Sequence, residues 1–303
     1  MATIRFTTNE FCFPIWGSLA MEMAKEAGFE GIEITDGGGY LQPHPMNNGY
    51  VEYERFGLDL RRKESFPLTD PYVQNAYLEA AAKVGIEITG IYLYLLDYQS
   101  FAKAEDGSPQ ADQCYETIEK AVISASQMGI PQVTVPLNGA FGIGQHTYAY
   151  RKLEFAVKKG EEYGVRILVN TDTPLSRQIE ITDALSGKVK IDFRSVDPEW
   201  YGHGSAASFI LGLGKERIGQ VRMKDMKVDS EGFVTKATSK AALLGQGDTA
   251  FRACIAAIRD IGYEGWVLAE TPYYRDGLNG GPMDYVEAAA EDIRTLQEAF
   301  GQG

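Results

Sequence analysis

At 303 residues the chain is long enough for one large domain or two ordinary ones with a sizeable buried core. Its 29 lysines and arginines stand against 42 aspartates and glutamates, a formal charge of −13 that argues against a nucleic-acid partner and for solubility. Cys12, Cys114 and Cys254 lie far apart without pairing or metal-ligand spacing, no signal peptide precedes the first strand, and no apolar run nears the ~20 residues that cross a bilayer, so the reading is a reduced, cytoplasmic protein with no membrane partner.

In chain order, a first strand at 3–7 is followed by a helix at about 15–27 and then by a unit that recurs: amphipathic helix, glycine turn, short strand. It reads Ala24-Lys25-Glu26-Ala27-Gly28-Phe29-Glu30-Gly31-Ile32-Glu33-Ile34, then Ala82-Lys83-Val84-Gly85-Ile86-Glu87-Ile88, and returns around Gly129, Gly164 and Gly262, with weaker copies at Gly187 and Gly214. The glycine supplies the left-handed conformation that ends a helix, and the next apolar residue packs back on the last turn. Further helices read at 70–84, 109–129, 147–163, 174–185, near 205–212, 249–261 and 283–300, with Ser108-Pro109 the clearest start signal. Eight alternating units predict a parallel sheet closed into one (β/α)8 barrel, a single domain over residues 1–303, and no Gly-x-Gly-x-x-Gly follows the first strand to suggest a dinucleotide fold.

Helix-to-strand turns are short, whereas strand-to-helix segments are long at 36–69, 96–108, 138–146, 193–205, 225–248 and 271–282. In a barrel these emerge on the C-terminal face, where active sites lie. They hold His44, His146 and His203, and many aromatics, among them Trp16, Tyr92, Tyr94, Trp200 and Tyr273, lie in or beside such segments and could wall a pocket for a polar ring. Within 225–248, Ser230-Glu231-Gly232 between Lys227-Val228 and Phe233-Val234-Thr235 reads as a hairpin beside the barrel mouth.

The stretch Gln220-Val221-Arg222-Met223-Lys224-Asp225 alternates, placing Val221 and Met223 on one face and Gln220, Arg222 and Lys224 on the other. Several charges on one strand face are costly to bury unless opposite charges meet them. Candidate partners stand at three other strand ends, Asn170, Asp192 and Glu270, so the barrel should gather four strand ends into one polar centre.

The Gly28-Phe29-Glu30-Gly31-Ile32-Glu33 stretch, Val221 to Asp225 with Leu244-Gly245-Gln246-Gly247-Asp248, and Gly262-Tyr263-Glu264-Gly265-Trp266 leading to Glu270 resemble the xylose-isomerase-like barrels, a superfamily of sugar isomerases and epimerases, inosose dehydratases and abasic-site endonucleases. The resemblance covers most of the chain. It implies proton transfer next to a carbonyl, on a divalent metal held by a Glu, an Asp, a His and a second Glu; these fall here on Asn170, Asp192, Arg222 and Glu270. Asn offers a weak oxygen ligand, and Arg has no lone pair to give and repels a cation. The expectation is therefore no metal cofactor, with manganese or magnesium disfavoured, and a guanidinium standing where the metal would be. On the enzymatic reading Glu270 or Asp192 shuttles the proton and Arg222, with Lys224, stabilises an enediolate-like oxyanion. Asn170, Lys224, His146, His203, Trp16 and Tyr94 would contact a small carbohydrate or polyol. Three alternatives stay open: a dehydratase-type lyase, a metal relocated to His146 or His203 with Asp192, and a non-catalytic carbohydrate-binding barrel or subunit of a larger complex. Assembly into a homo-oligomer is not decided by the sequence.

Overall fold

A computed structural model describes residues 4–36, 66–94, 96, 103–139, 146–228, 239–274, 278 and 284–302. Eight parallel strands close on themselves: β1 (Ile4–Asn9), β2 (Gly31–Ile34), β3 (Glu87–Tyr92), β4 (Gln132–Pro136), β5 (Arg166–Asn170), β6 (Val189–Arg194), β7 (Ile218–Met223) and β10 (Gly265–Ala269), the last pairing with both β7 and β1. Between and after them run α1 (Ser18–Ala27), α2 (Pro71–Val84), α3 (Pro109–Met128), α4 (His146–Tyr163), α5 (Leu175–Ala184), the single turn α6 (Asp197–Trp200), α7 (Ala206–Arg217), α8 (Phe251–Asp260) and α9 (Tyr285–Phe300). This is the expected (β/α)8 barrel, with element bounds mostly within a few residues of those read from sequence.

Local chemistry explains the alternation. Gly28, Gly85 and Gly129 each cap a helix with φ between 69° and 107°, and the amide of the following residue, Phe29, Ile86 or Ile130, reaches back to a carbonyl of the last turn. Ser108 caps α3 by accepting from the Ala111 amide, and Asp70 and Asp284 do the same for α2 and α9. Along each strand one set of side chains, such as Ile32 and Ile34, Ile167 and Val169, Val221 and Met223, joins the apolar layer under the helices. The other set faces the barrel interior, which is polar well below the mouth: Gln132 receives Arg166 at 3.2 Å and donates to Gln220 at 3.2 Å, and Gln220 donates to Glu33 at 3.1 Å.

A two-stranded antiparallel pair follows β7 directly: β8 (Asp225–Val228) and β9 (Ser239–Ala242), with Val228 opposite Ser239. An antiparallel pair is therefore present in this segment, but with Ser239–Ala242 as its second strand rather than the expected 233–235; the expected Ser230–Gly232 turn and the 233–235 run lie outside the described residues. Asp225 anchors it. One carboxylate oxygen accepts from the Gly245 and Gly247 amides at 2.9 and 3.0 Å, the other from the Thr249 hydroxyl at 2.6 Å and the Met226 amide at 2.9 Å. A side chain at Gly247 would collide with this carboxylate, which accounts for the glycine in Leu244-Gly245-Gln246-Gly247-Asp248.

Candidate active site

Arg222 sits at the C-terminal end of the barrel interior, its side chain 0% exposed, because the period-two pattern of β7 turns it inward two residues beyond Gln220. Its Nη2 donates to both oxygens of Glu33 at 2.7 and 2.9 Å, its Nε to Asp192 at 2.6 Å, and its Nη1 to Glu270 at 3.4 Å. The ring of Tyr92 lies 4.4 Å from the guanidinium carbon. A buried arginine is tolerated because its donors meet carboxylates and its face meets a π-system.

One guanidinium faces two fully buried carboxylates in Glu33 and Asp192. Burial pushes both carboxyls above the ordinary range against the pull of Arg222, and each acidic neighbour adds to the rise. Glu270 behaves in the opposite way. Burial alone would raise it, yet Arg194, Lys224 and Arg222 together hold it down at about 2. Lys224 Nζ stands 3.2 Å from Glu270 and 5.5 Å from the Trp200 ring, and Arg194 Nε stands 3.3 Å from Glu270. With side-chain exposures of 19% and 12%, Lys224 and Arg194 are the partly exposed cations of this cluster, whereas Arg222 is fully buried.

The structure brings Asp192, Arg222, Lys224 and Glu270 together as expected and adds Glu33, Arg194 and Tyr92. Asn170 is buried beside them, but its amide nitrogen donates to the Asp192 carbonyl at 2.9 Å and its oxygen accepts from Asn138 at 3.2 Å, so both ends hold neighbouring strand ends in place. Trp16, Tyr94, Phe11 and Tyr92 form a file of rings at centroid spacings of 5.8, 5.3 and 6.0 Å that ends on Arg222. His203 is exposed, stacked on Tyr201, with Nε2 3.1 Å from the Asp172 carbonyl, at the rim rather than in the Arg222 cluster. His146 opens α4 with its side chain outside the described residues, as is all of His44.

The donor set does not fit a divalent cation. The guanidinium nitrogens are donors already directed at the three carboxylates, and the Asn170 oxygen is engaged. Among the described residues no group of three or more His, Cys, Asp and Glu side chains is arranged to hold a metal ion.

Residues 21–299 match the model of the xylose isomerase-like TIM barrel family. The chain belongs to that family. No curated protein sequence gives a match. Among solved structures, this xylose isomerase-like barrel is similar to the IolI protein with a bound zinc atom, at a TM-score of 0.70 and 15% identity over 98% of each chain. It is also similar to D-allulose 3-epimerase from Methylomonas sp., at 0.68 and 12% over 99% of each chain. A third is 3-keto-D-glucoside 4-epimerase YcjR from E. coli, at 0.67 and 14%, covering 98% of this chain and all of that one. At these identities the likeness is one of fold.

Proposed function

We propose that this family member is a sugar isomerase or epimerase acting on a small carbohydrate or polyol by acid–base proton transfer, without the divalent metal its family typically uses. The observation that carries the reading is the ion cluster at the C-terminal ends of the strands, where a (β/α)8 barrel does its chemistry, with Arg222 fully buried and Lys224 and Arg194 partly exposed. The epimerases among its structural neighbours support the substrate class.

A substrate carbonyl entering from the mouth meets Lys224 and Arg194 before it can meet Arg222. These two cations then stabilise the oxyanion that forms as the adjacent carbon loses its proton, and Arg222 fixes the carboxylates from below. Glu270, held at about 2 while all three cations face it, is a weak base in the free protein. Once Lys224 and Arg194 turn part of their charge to the substrate oxygen, its basicity rises, and it becomes the proton acceptor only in the loaded site.

The test is exchange of a carbon-bound substrate proton with deuterated solvent. Glu270→Gln keeps the shape and removes the base, so it should abolish exchange while ligand affinity stays within a few fold. Unchanged exchange in this variant would refute the role of Glu270. A binding barrel without chemistry is the second reading, favoured by the burial of Arg222 and the mutual neutralisation of the cluster; sugar binding with no exchange in the unmodified protein would establish it.

A further inference from the structure

We propose that Asp197 and Trp200, one helical turn apart on α6, form a hydroxyl-binding subsite for an uncharged polyol beside the Arg194–Glu270–Lys224 ion pairs. The inference rests on the sugar-directed reading above and names the part of the ligand this corner would take. Asp197 is 5% exposed, and neither of its carboxylate oxygens accepts a hydrogen bond from any described residue; the indole N–H of Trp200, also buried, donates to none. Buried polar atoms are almost always partnered, so three such atoms on a four-residue helix mark a place where a molecule other than the chain supplies the partners.

The surroundings select what that molecule is. Arg194 Nη1 lies 3.8 Å from Asp197 while its Nε reaches Glu270, and Lys224 Nζ stands over the Trp200 ring. Glu270 and Asp172 act on Asp197 from the acidic side, and Arg194 and Lys224 from the basic side. An anion would meet Asp197 and Glu270, and a cation would meet Arg194 and Lys224. An alcohol suffers neither repulsion: its O–H donates to Asp197 and its oxygen accepts from Trp200. Burial lifts the Asp197 carboxyl to about 7, so near neutrality it can also present a proton of its own to a hydroxyl oxygen.

The experiment is calorimetric titration of the full-length protein with D-allulose, D-tagatose and myo-inositol, each up to about 100 mM, in the unmodified protein, Asp197→Asn and Trp200→Phe. At least one of these polyols should bind, and each substitution should weaken it about tenfold, because a site built to hydrogen-bond a hydroxyl loses affinity when one of its polar groups is removed. Trp200→Phe retains the ring and should fold with an unchanged thermal midpoint in the absence of polyol, which separates lost recognition from lost structure. Absence of binding across the panel, or equal affinity in all three proteins, overturns the subsite. Polyol binding that is sensitive to both substitutions, with no proton exchange in any protein, sinks the isomerase reading and leaves the subsite standing.

Discussion

Removing the guanidinium of Arg222 would strand Glu33 and Asp192 in a dry interior, each facing the other. Breaking a buried ion pair on one side leaves an uncompensated charge and costs about 3–5 kcal/mol. Arg222→Met should therefore lower the urea midpoint strongly, and more at about pH 8 than at about pH 5, where the stranded carboxyls can take up protons. A loss below about 1 kcal/mol would mean that the cluster contributes nothing net to stability. At this scale the sequence reveals the centre itself: Arg222 and Lys224 alternate with apolar residues, and Asp192 and Glu270 end apolar runs. Glu33 escapes notice for a physical reason. It is one charge in Gly31-Ile32-Glu33-Ile34, a pattern equally suited to a solvated strand face, and only closure of the barrel turns it onto a residue 189 positions away. Arg194, two residues past Asp192 on the same inward face, follows the period-two rule and could have been found by extending the strand.

Among the elements, the β8–β9 pair shows how one carboxylate organises a segment too short to be stable alone. Two isolated strands are marginal in water, so the pair depends on Asp225, which joins the strand to the Gly245–Thr249 turn through both oxygens. An amide at this position cannot accept all of those bonds. In Asp225→Asn, hydrogen exchange should speed up at the amides of residues 239–249 while β1 to β6 keep their protection, with a stability loss of about 1–3 kcal/mol. Uniform loss of protection around the barrel would show instead that the pair and the barrel unfold as one unit. The sequence signals a hairpin here but misplaces its second strand. Phe233-Val234-Thr235 has the stronger strand propensity, yet pairing with Asp225–Val228 falls to Ser239–Ala242, next to the turn that Asp225 holds.

For the whole molecule, the buried carboxyls set how stability follows pH. Asp197 and Asp292 are each raised from an ordinary 3.8 to about 7, both chiefly by burial. A folded-state value above the unfolded one means the native state holds a proton that the unfolded chain releases, so each contributes stability at low pH that is lost as pH rises from about 4 to about 7, up to roughly 4 kcal/mol apiece. Glu270, depressed to about 2, has the opposite sign: its contribution is complete above the ordinary glutamate range and is lost as pH falls toward 2. The urea midpoint should consequently decline between about pH 5 and about pH 8, and Asp292→Asn should flatten that decline. A midpoint that rises over this window would contradict the raised values. No helix among the described residues is long and apolar enough to cross a membrane.

Arg222 also fixes an order of events. Glu33 and Asp192 emerge from the ribosome before the cation that neutralises them, and Glu270 follows it by 48 residues. A nascent chain that stops short of β7 can stack its first helices on strands β1 to β6, but it cannot dry their inner ends without isolating two carboxylates. Drying the six-strand sheet early would leave Glu33 and Asp192 without their cation, so closure of the centre is favoured once the seventh strand brings Arg222 to them.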